Sequence, residues 1–406
     1  MQLTKGAIGN LINRYKAVLK KCHLMNTFGS LAVAGMLIMG GAGVAGAGAA
    51  KDVALGGQNN YSPSEKPNVD HLMGGWLVNT PDAAEAAKGD ITLTVNGGKI
   101  EEIIGGSYVK ACPAFDKALT HGTITTTING ETTSSQFVVG GSKLANSEKA
   151  HLKTGDISLT IKDGTFGDGK VADGNTNYEL VTGGNYIKTD SGNAFSNMAT
   201  ADDVVVTISG GEFKTSVVGG STAHVYGTCG KNAATIKVTD ASTSVTITDG
   251  TFGQSSSTGS GAINLDPSVI GGGLALVQKG IAAGKEVSST ITGNTLVTIK
   301  GTDVEIADKV LGGSLAQGQG TTVTVGTAGQ NNTSGIVVEN VKSVGDLVGG
   351  NMAQGGTATL NGDSAVVVKA GTVEGDVMGG AMCATPARRP PTATPVSCSV
   401  LATTPR

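Results

Sequence analysis

The amino-acid sequence predicts an all-β fold, a parallel β-helix (β-solenoid) of about nine layers that is preceded by a signal peptide. Two patterns carry this prediction. A glycine pair recurs nine times, with two apolar residues before it in eight cases, and a short run of alternating apolar and polar residues precedes most of the pairs. The composition agrees, because 64 of the 406 residues are glycine and only 3% are aromatic. Close backbone packing therefore matters more here than an aromatic core.

Residues 1–49 are predicted to be an extended signal peptide. A basic segment ends at Lys21, the apolar stretch FGSLAVAGMLIM follows, and small residues then stand at cleavage spacing. A membrane-spanning helix is the alternative, but this stretch is shorter than the roughly 20 apolar residues that cross a bilayer. We expect cleavage after Ala47 or Ala49, and hence a protein that engages the export machinery.

Residues 50–90 are predicted to form the N-terminal cap and the first layer. The first glycine pair lies in this segment, and the residue after it is Trp76, whereas small or polar residues follow the later pairs. A large apolar side chain in the first unit suits a cap over the open end of a repeat core. The alternative for Trp76 is an exposed contact residue.

Residues 91–383 are predicted to be the repeat β-solenoid. The segments ITLTVNGG from Ile91 and ISLTIKDG from Ile157 alternate with period two, which is typical of a strand with one buried face. One unit alone cannot bury that face, so we expect successive units to stack in parallel at roughly 4.8 Å per layer. The pairs are 30 to 52 residues apart, which indicates a constant unit with loops of varying length.

The glycine pairs are predicted to be structural corners, where the chain turns from one sheet to the next. A side chain there would collide with the layers above and below, and we expect the backbone to need positive φ as well. The small or polar residue after each pair suits an in-register ladder. The first pair is Gly74 and Gly75, and the corner glycines that follow are Gly105, Gly106, Gly140, Gly141, Gly183, Gly184, Gly219, Gly220, Gly271, Gly272, Gly312, Gly313, Gly349, Gly350, Gly379 and Gly380.

A β-propeller is the main alternative for a repeat of this length. Its blades need four strands in about 40 residues and usually carry periodic aromatic residues. This chain has a single Trp, and several of its units contain barely two clear strands. The pattern therefore favours the solenoid.

No catalytic, cofactor-binding or metal site is predicted. Asp163 and Asp249, in KDGTFG and TDGTFG, are candidates for paired carboxylates on neighbouring units, but Asp-Gly is a turn dipeptide and both lie where a strand must bend. No helix follows the glycine pairs, which argues against a dinucleotide site. Four histidines are expected to be isolated in loops without metal-ligand spacing, namely His71, His121, His151 and His224.

Charge and cysteine content argue against a nucleic-acid-binding protein and against a disulfide or metal site built from cysteines. The net charge is −3, yet residues 1–50 carry five basic residues and residues 384–406 carry three, with no acid in either segment. The region between them therefore carries −11, which argues against nucleic acid as a partner. Cys112 and Cys229 lack CxxC spacing and are expected to be small core or loop residues rather than a disulfide or metal pair.

Residues 384–406 are predicted to be a disordered or frameshifted tail. Half of the ten prolines and three of the four arginines lie after residue 384, and stacked strands do not accommodate that many prolines. A stack that stops before this tail has an open strand edge. We therefore expect self-association through the C-terminal end.

The long basic leader, the Thr/Val/Ile-rich repeats with GGS or GGN corners, the few cysteines and the acidic body resemble a bacterial autotransporter passenger of type V secretion. The resemblance covers residues 1 to about 383 by architecture and transfers no individual functional residue. Such Gram-negative proteins end in an outer-membrane β-barrel, and none is found in this sequence. The resemblance therefore implies a truncated passenger, periplasmic as it stands, and surface-bound or secreted where the full-length gene supplies a barrel.

The function expected from this resemblance is that of a non-enzymatic, adhesin-like or structural surface protein without a cofactor. Its ligand, a host or surface glycan or protein, stays open. A glycan-active β-helix enzyme, either a polysaccharide lyase or a hydrolase, is the alternative. No arginine occurs between residues 51 and 383, which removes one basic residue type that a lyase groove would use.

Overall fold

The computed structural model describes residues 52–61, 69–78, 88–110, 118–147, 149–167, 179–189, 195–225, 234–253, 265, 267–278, 286–383 and 399–402. The predicted leader, Cys112 and Cys229 lie outside these residues. All regular secondary structure in the described residues is β, and every pairing between their named strands is parallel. The prediction of an all-β fold with parallel sheets is therefore confirmed.

The strands form three sheets of 19, nine and eight strands. The first sheet contains Asp52–Ala54, Gln58–Tyr61, Val69–Met73, Ile91–Ile104, Ile124–Val139, Ile157–Ile161, Thr165–Phe166, Leu180–Thr182, Val204–Phe213, Ser216–Val218, Thr243–Phe252, Pro267–Ile270, Thr295–Lys300, Glu305–Ile306, Lys309–Leu311, Asn332–Val344, Leu347–Val348, Gly362–Val373 and Val377–Met378. The second contains Leu77–Val78, Tyr108–Lys110, Lys143–Ala145, Tyr186–Thr189, Thr222–Val225, Leu274–Val277, Leu315–Gln317, Met352–Gln354 and Met382–Cys383. The third contains Ala118–Thr120, His151–Lys153, Phe195–Ala201, Ala234–Asp240, Glu286–Ile291, Thr321–Val325, Thr357–Leu360 and Ser399–Ala402.

The chain visits the sheets in a fixed order. From the second glycine pair to the eighth, it leaves the first sheet at the pair, begins a strand of the second sheet two residues later, continues to the third sheet and returns to the first. One strand of the second sheet follows each of the nine glycine pairs. We number the repeats one to nine by these pairs.

Equivalent residues of successive repeats are direct register partners. In the first sheet, one inward position is occupied in turn by Val95, Ile128, Ile161, Ile208, Ile247, Ile299 and Val338, and all seven side chains are buried. Each such side chain contributes about 1.5–3 kcal/mol by leaving water. Three phenylalanines stack in the same way: Phe213 lies 4.9 Å from Phe166 and 4.5 Å from Phe252 between ring centroids.

The strands beside the glycine pairs are buried on both faces. Val217 and Val218 are neighbours in one strand and so point to opposite faces, and Val217 belongs to the main apolar cluster whereas Val218 belongs to another. We name the second group the corner cluster. It comprises Met73, Ile104, Tyr108, Phe137, Val139, Ala145, Leu180, Tyr186, Val218, Leu265, Ile270, Leu274, Leu276, Leu311, Leu315, Val348 and Met352.

This arrangement explains the apolar pair that precedes the glycines. The first residue of the pair faces the main core and the second faces the corner cluster, as in Val269 with Ile270 and in Leu347 with Val348. The second sheet continues the alternation. Leu274 and Leu276 belong to the corner cluster, whereas Ala275 and Val277 belong to a third apolar cluster on the opposite face of the sheet. An apolar dipeptide therefore suits positions where both faces are covered, and the one polar member, buried Thr182, donates its hydroxyl to the carbonyl of Gly220 at 2.8 Å.

The C-terminal segment differs in part from its prediction. A disordered or frameshifted tail was expected from residue 384, yet Ser399–Ala402 form the last strand of the third sheet, parallel to Thr357–Leu360. The four residues SVLA contain no proline, so they can complete a ladder. The other residues of the predicted tail lie outside the described part of the chain.

Candidate functional site

The glycine pairs lie where the first sheet gives way to the second, and successive pairs touch through their backbones. The N–H of Gly219 donates to the carbonyl of Ile270 (2.7 Å), and that of Gly220 donates to Gly272 (2.9 Å). A Cβ atom on Gly219 would lie 2.3 Å from the carbonyl oxygen of Gly271 and 2.6 Å from Val245 Cγ2. Only glycine fits at such a separation.

The expected positive φ is wrong for these corners. None of the nine glycine pairs has a positive φ, so the requirement for glycine there is purely steric. Positive φ occurs instead at the other turn of the repeat, for example at Gly211 (108°) and Gly250 (121°). Those glycines follow the alternating strand and let the chain bend within the first sheet.

The residues after the glycine pairs form a buried hydrogen-bonded ladder. Six of them donate the backbone N–H to the side-chain oxygen of the equivalent residue in the next repeat, and the accepting side chains are fully buried. The rungs are Trp76 to Ser107 (3.0 Å), Ser107 to Ser142 (3.1 Å), Ser142 to Asn185 (2.9 Å), Asn185 to Ser221 (2.9 Å), Gly273 to Ser314 (3.0 Å) and Ser314 to Asn351 (2.8 Å).

The ladder is interrupted where Gly273 offers no side chain to Ser221. The carboxylate of Asp240 takes its place, accepting the Ser221 N–H (2.7 Å) and the Ser221 hydroxyl (2.6 Å). Burial raises the pKa of Asp240 to about 6, although both hydrogen bonds from Ser221 oppose this rise. A titratable group thus completes the ladder at its one glycine position.

A set of charged side chains lies in the corner cluster of the first three repeats. We name Asp52, His71, Glu102 and Lys143 the charged corner. Glu102 is the register partner of His71 and of Phe137 in the first sheet, and Lys143 lies between Tyr108 and Tyr186 in the second. The two rows face each other across the bend that the glycine pairs create.

The charged corner is a chain of short contacts. Lys143 Nζ lies 2.5 Å from Glu102 Oε2, His71 Nε2 lies 3.3 Å from the same oxygen, and His71 Nδ1 lies 2.6 Å from Asp52 Oδ1. The side chains of Lys143 and Glu102 are 3% and 6% exposed. Lys110, 46% exposed, approaches Asp52 from the surface at 3.6 Å.

Aromatic rings surround the ammonium group of Lys143. Its Nζ lies 4.9 Å from the centroid of Tyr108, 5.0 Å from that of Phe137 and 5.8 Å from that of Tyr186. Burial lowers the pKa of Lys143, Glu102 opposes this effect, and the positive charges of Lys188 and Lys110 add to it. The net effect of these surroundings is a lowered pKa for Lys143.

The expectation of isolated histidines in loops is wrong for three of the four. His71, His151 and His224 lie in strands. Burial, aided by Lys188 and Lys143, lowers the pKa of His224 to about 3, and its Nδ1 lies 2.8 Å from the Tyr186 hydroxyl. His121 follows a strand and is buried, with its ring stacked 6.3 Å from half-buried Trp76.

The two candidate carboxylates of the sequence do not form a pair. Asp163 accepts a hydrogen bond from the N–H of Gly164, and Asp249 accepts one from Gly250, both at 2.7 Å. The strand Val204–Phe213 lies between their repeats. Both side chains therefore serve turns and do not meet.

Alignment of the repeats on their glycine pairs is the signal that exposes the charged corner. The first residue of each second-sheet strand is Leu77, Tyr108, Lys143, Tyr186, Thr222, Leu274, Leu315, Met352 and Met382. Lys143 is the single charged residue in that column. A charge in a buried column requires a partner, and Glu102 is the acid that register places opposite.

The described residues contain no group of three or more His, Cys, Asp or Glu side chains placed to hold a metal ion. No helix in this same part of the chain is long and apolar enough to cross a membrane. Comparison with protein-family models, with curated proteins and with solved structures gives no match.

Proposed function

We propose that the chain is a β-solenoid of nine repeats, exported through its leader, and that it acts as a non-enzymatic, adhesin-like or structural surface protein of the autotransporter passenger kind. The ordered visits to three parallel sheets support the solenoid, since each repeat pairs with the one before and the one after. A chain built in this way presents long rows of identical side chains to its surroundings.

One such row supports the proposal that the protein binds a ligand at its surface. The threonine row consists of Thr94, Thr127, Thr160, Thr207, Thr246 and Thr298, which are consecutive register partners on the outward face of the first sheet. All six are half-buried. Hydroxyl and methyl groups then repeat at roughly 4.8 Å, a regular surface suited to an extended, hydroxyl-rich ligand such as a glycan chain.

The placement of the charged groups favours binding over catalysis. Glu102 and Lys143 are buried and satisfy each other, and Asp163 and Asp249 hold turns. A glycosidase needs two carboxyl groups that reach the same bond. Several exposed charges lie in cross-repeat ion pairs instead, such as Lys342 with Glu305 at 2.7 Å and Lys237 with Glu286 at 2.9 Å.

A glycan array with the purified protein tests the interaction role. We expect wild type to bind an extended polysaccharide, and Thr207→Lys to weaken binding at least about tenfold because the lysine interrupts the row at its centre. Thr239→Lys, which makes the same change on a half-buried threonine of the third sheet, is the matched control and should bind normally. Equal losses in both variants would remove the row from the proposal.

A turnover assay separates the alternative. Release of shortened or unsaturated sugars from any bound polysaccharide would favour the glycan-active enzyme and contradict a purely binding role. Export is tested on its own by fractionating cells that express the chain with and without residues 1–49. We expect the protein outside the cytoplasm only when the leader is present.

A further inference from the structure

The side chains of Lys143 and Glu102 are held in direct contact in the interior. They come from different repeats, 41 residues apart in sequence, yet Nζ and Oε2 are 2.5 Å apart. Both are almost completely buried, so water neither separates nor screens them. Reacting groups held in this way gain an effective molarity on the order of 10⁵ M or more over the same groups in solution.

An ion pair in this place carries an unusual cost. Two charges removed from water into a wall of Tyr108, Phe137 and Tyr186 lose their hydration, and their mutual attraction often does no more than offset that loss. An amide between the two side chains carries no charge and leaves an N–H and a carbonyl in place of two ions. The environment that penalises the ion pair therefore favours the covalent product.

Acylation of an amine requires its neutral form, and the surroundings of Lys143 shift its pKa in that direction. Burial lowers the pKa of Lys143, with Lys188 and Lys110 acting in the same direction. The carboxylate that accepts its proton is the one it would attack. The 2.5 Å contact is thus the direct path for a proton between the two groups.

A proton carrier is also present at the oxygen that must leave. His71 Nε2 lies 3.3 Å from Glu102 Oε2, the same atom that Lys143 contacts, and Asp52 holds the other ring nitrogen at 2.6 Å. This fixes the imidazole with Nε2 towards the carboxyl group. His71 can therefore take a proton from the attacking nitrogen and return it to the departing oxygen.

We propose that Lys143 and Glu102 form an intramolecular amide crosslink that joins the second and third repeats, with His71 as the proton carrier. Lys143 Nζ attacks Glu102 Cδ, the Nζ–Cδ bond forms and the Cδ–Oε2 bond breaks. Two of the three ammonium protons leave with Oε2 as water, one through the direct contact and one through His71, and the third stays on the amide nitrogen. The reaction needs no oxidant, metal or activated co-reactant, and it does not depend on the proposed export or binding role.

Intact-mass spectrometry of the purified full chain tests the proposal. We expect wild type to be lighter than its sequence by the mass of one water molecule, and proteolysis to release one branched peptide that joins the segments around Glu102 and Lys143. A full-mass protein that yields these two segments as separate peptides would overturn the proposal, and this outcome depends on no variant.

Two variants assign the bond to its residues. Lys143→Arg keeps the positive charge but cannot form this amide, and it should have its full mass; loss of water in that variant would place the reaction elsewhere. Glu102→Gln has ammonia as its leaving group, so it should lose ammonia or keep its full mass. Continued loss of water from Glu102→Gln would exclude Glu102.

The role of His71 has a kinetic readout. When bond formation is followed from the moment of synthesis in a cell-free translation reaction, we expect His71→Gln to form the same branched peptide about 100-fold more slowly than wild type, the usual contribution of a proton carrier. An unchanged rate would remove His71 from the reaction. Lys110→Gln, which changes an exposed neighbour of Asp52, should leave the rate near that of wild type.

Discussion

The interior repeats and the ninth repeat have nearly the same sequence pattern and very different surroundings. Local sequence predicts the same structure for the segments SVVGGS, from Ser216, and DVMGGA, from Asp376. A Cβ on Gly219 would lie 2.3 Å from the next backbone, whereas one on Gly379 would have no heavy atom within 4 Å. The requirement for glycine is thus imposed by the following repeat and not by the turn itself.

The core rows teach the same lesson. Val338 is fully buried, and its register partner Val368 is 41% exposed although it occupies the same position one repeat later. Likewise Leu347 is buried and its partner Val377 is 52% exposed. Burial in this molecule is a property of neighbouring repeats, as expected where each unit touches only the units beside it.

Substitution of a corner glycine should have the largest effect. We expect Gly219→Val to lower the free energy of unfolding by about 4 kcal/mol or more, because the valine would overlap the backbone of the next repeat. Gly379→Val is the matched control and should change it by about 0.5 kcal/mol or less. Chemical denaturation of both variants measures the contrast, and equal losses would show that the turn alone demands glycine.

The second-largest effect on the free energy of unfolding should come from the titration of Asp240. Its pKa is raised from 3.8 to about 6 in the folded chain, so its contribution to stability is full below pH 3.8 and is lost as the pH rises through about 6. The loss should be about 3 kcal/mol. Asp240→Asn should remove this part of the pH dependence when unfolding is measured from pH 3.5 to 7.5. A variant curve parallel to wild type would mean that Asp240 does not titrate in this range.

Truncation of valines in one core row should give a smaller difference in stability between an interior repeat and the ninth repeat. We expect Val338→Ala to cost about 2 kcal/mol through the cavity it leaves, and Val368→Ala to cost less than about 0.5 kcal/mol. Both variants remove the same atoms from the same row. Thermal unfolding compares them directly, and similar costs would show that the ninth repeat is covered in solution.

The smallest effect on stability should come from charges on the ninth repeat. We expect Val368→Lys with Val377→Lys to change the free energy of unfolding by less than about 0.5 kcal/mol while reducing concentration-dependent self-association, because charge on an unpaired strand blocks edge pairing. Sedimentation velocity measures the association. Val205→Lys, at an exposed position of an interior repeat, is the control; an equal reduction there would mean that the end is not the contact.

Much of the fold follows from local pattern, and the charged corner does not. The alternation from Ile91 to Val95 fixes which side chains face inward, and the glycine pairs mark the corners. The contact of Glu102 with Lys143 depends on register between repeats whose loops differ in length. Sequence alone does not distinguish a glycine needed for its small size from one needed for its positive φ, and the positive φ lies at glycines such as Gly211 and Gly250. The strand Ser399–Ala402 does not follow from the composition of the proline-rich segment that contains it.

The fixed register has a consequence for how such a chain can change over generations. Since the pairs tolerate spacings of 30 to 52 residues without loss of alignment, whole units can be duplicated or deleted in frame and the flanking units will still match. The number of repeats can then change over generations while the fold is preserved. A duplicated unit needs neither a new core nor a new corner.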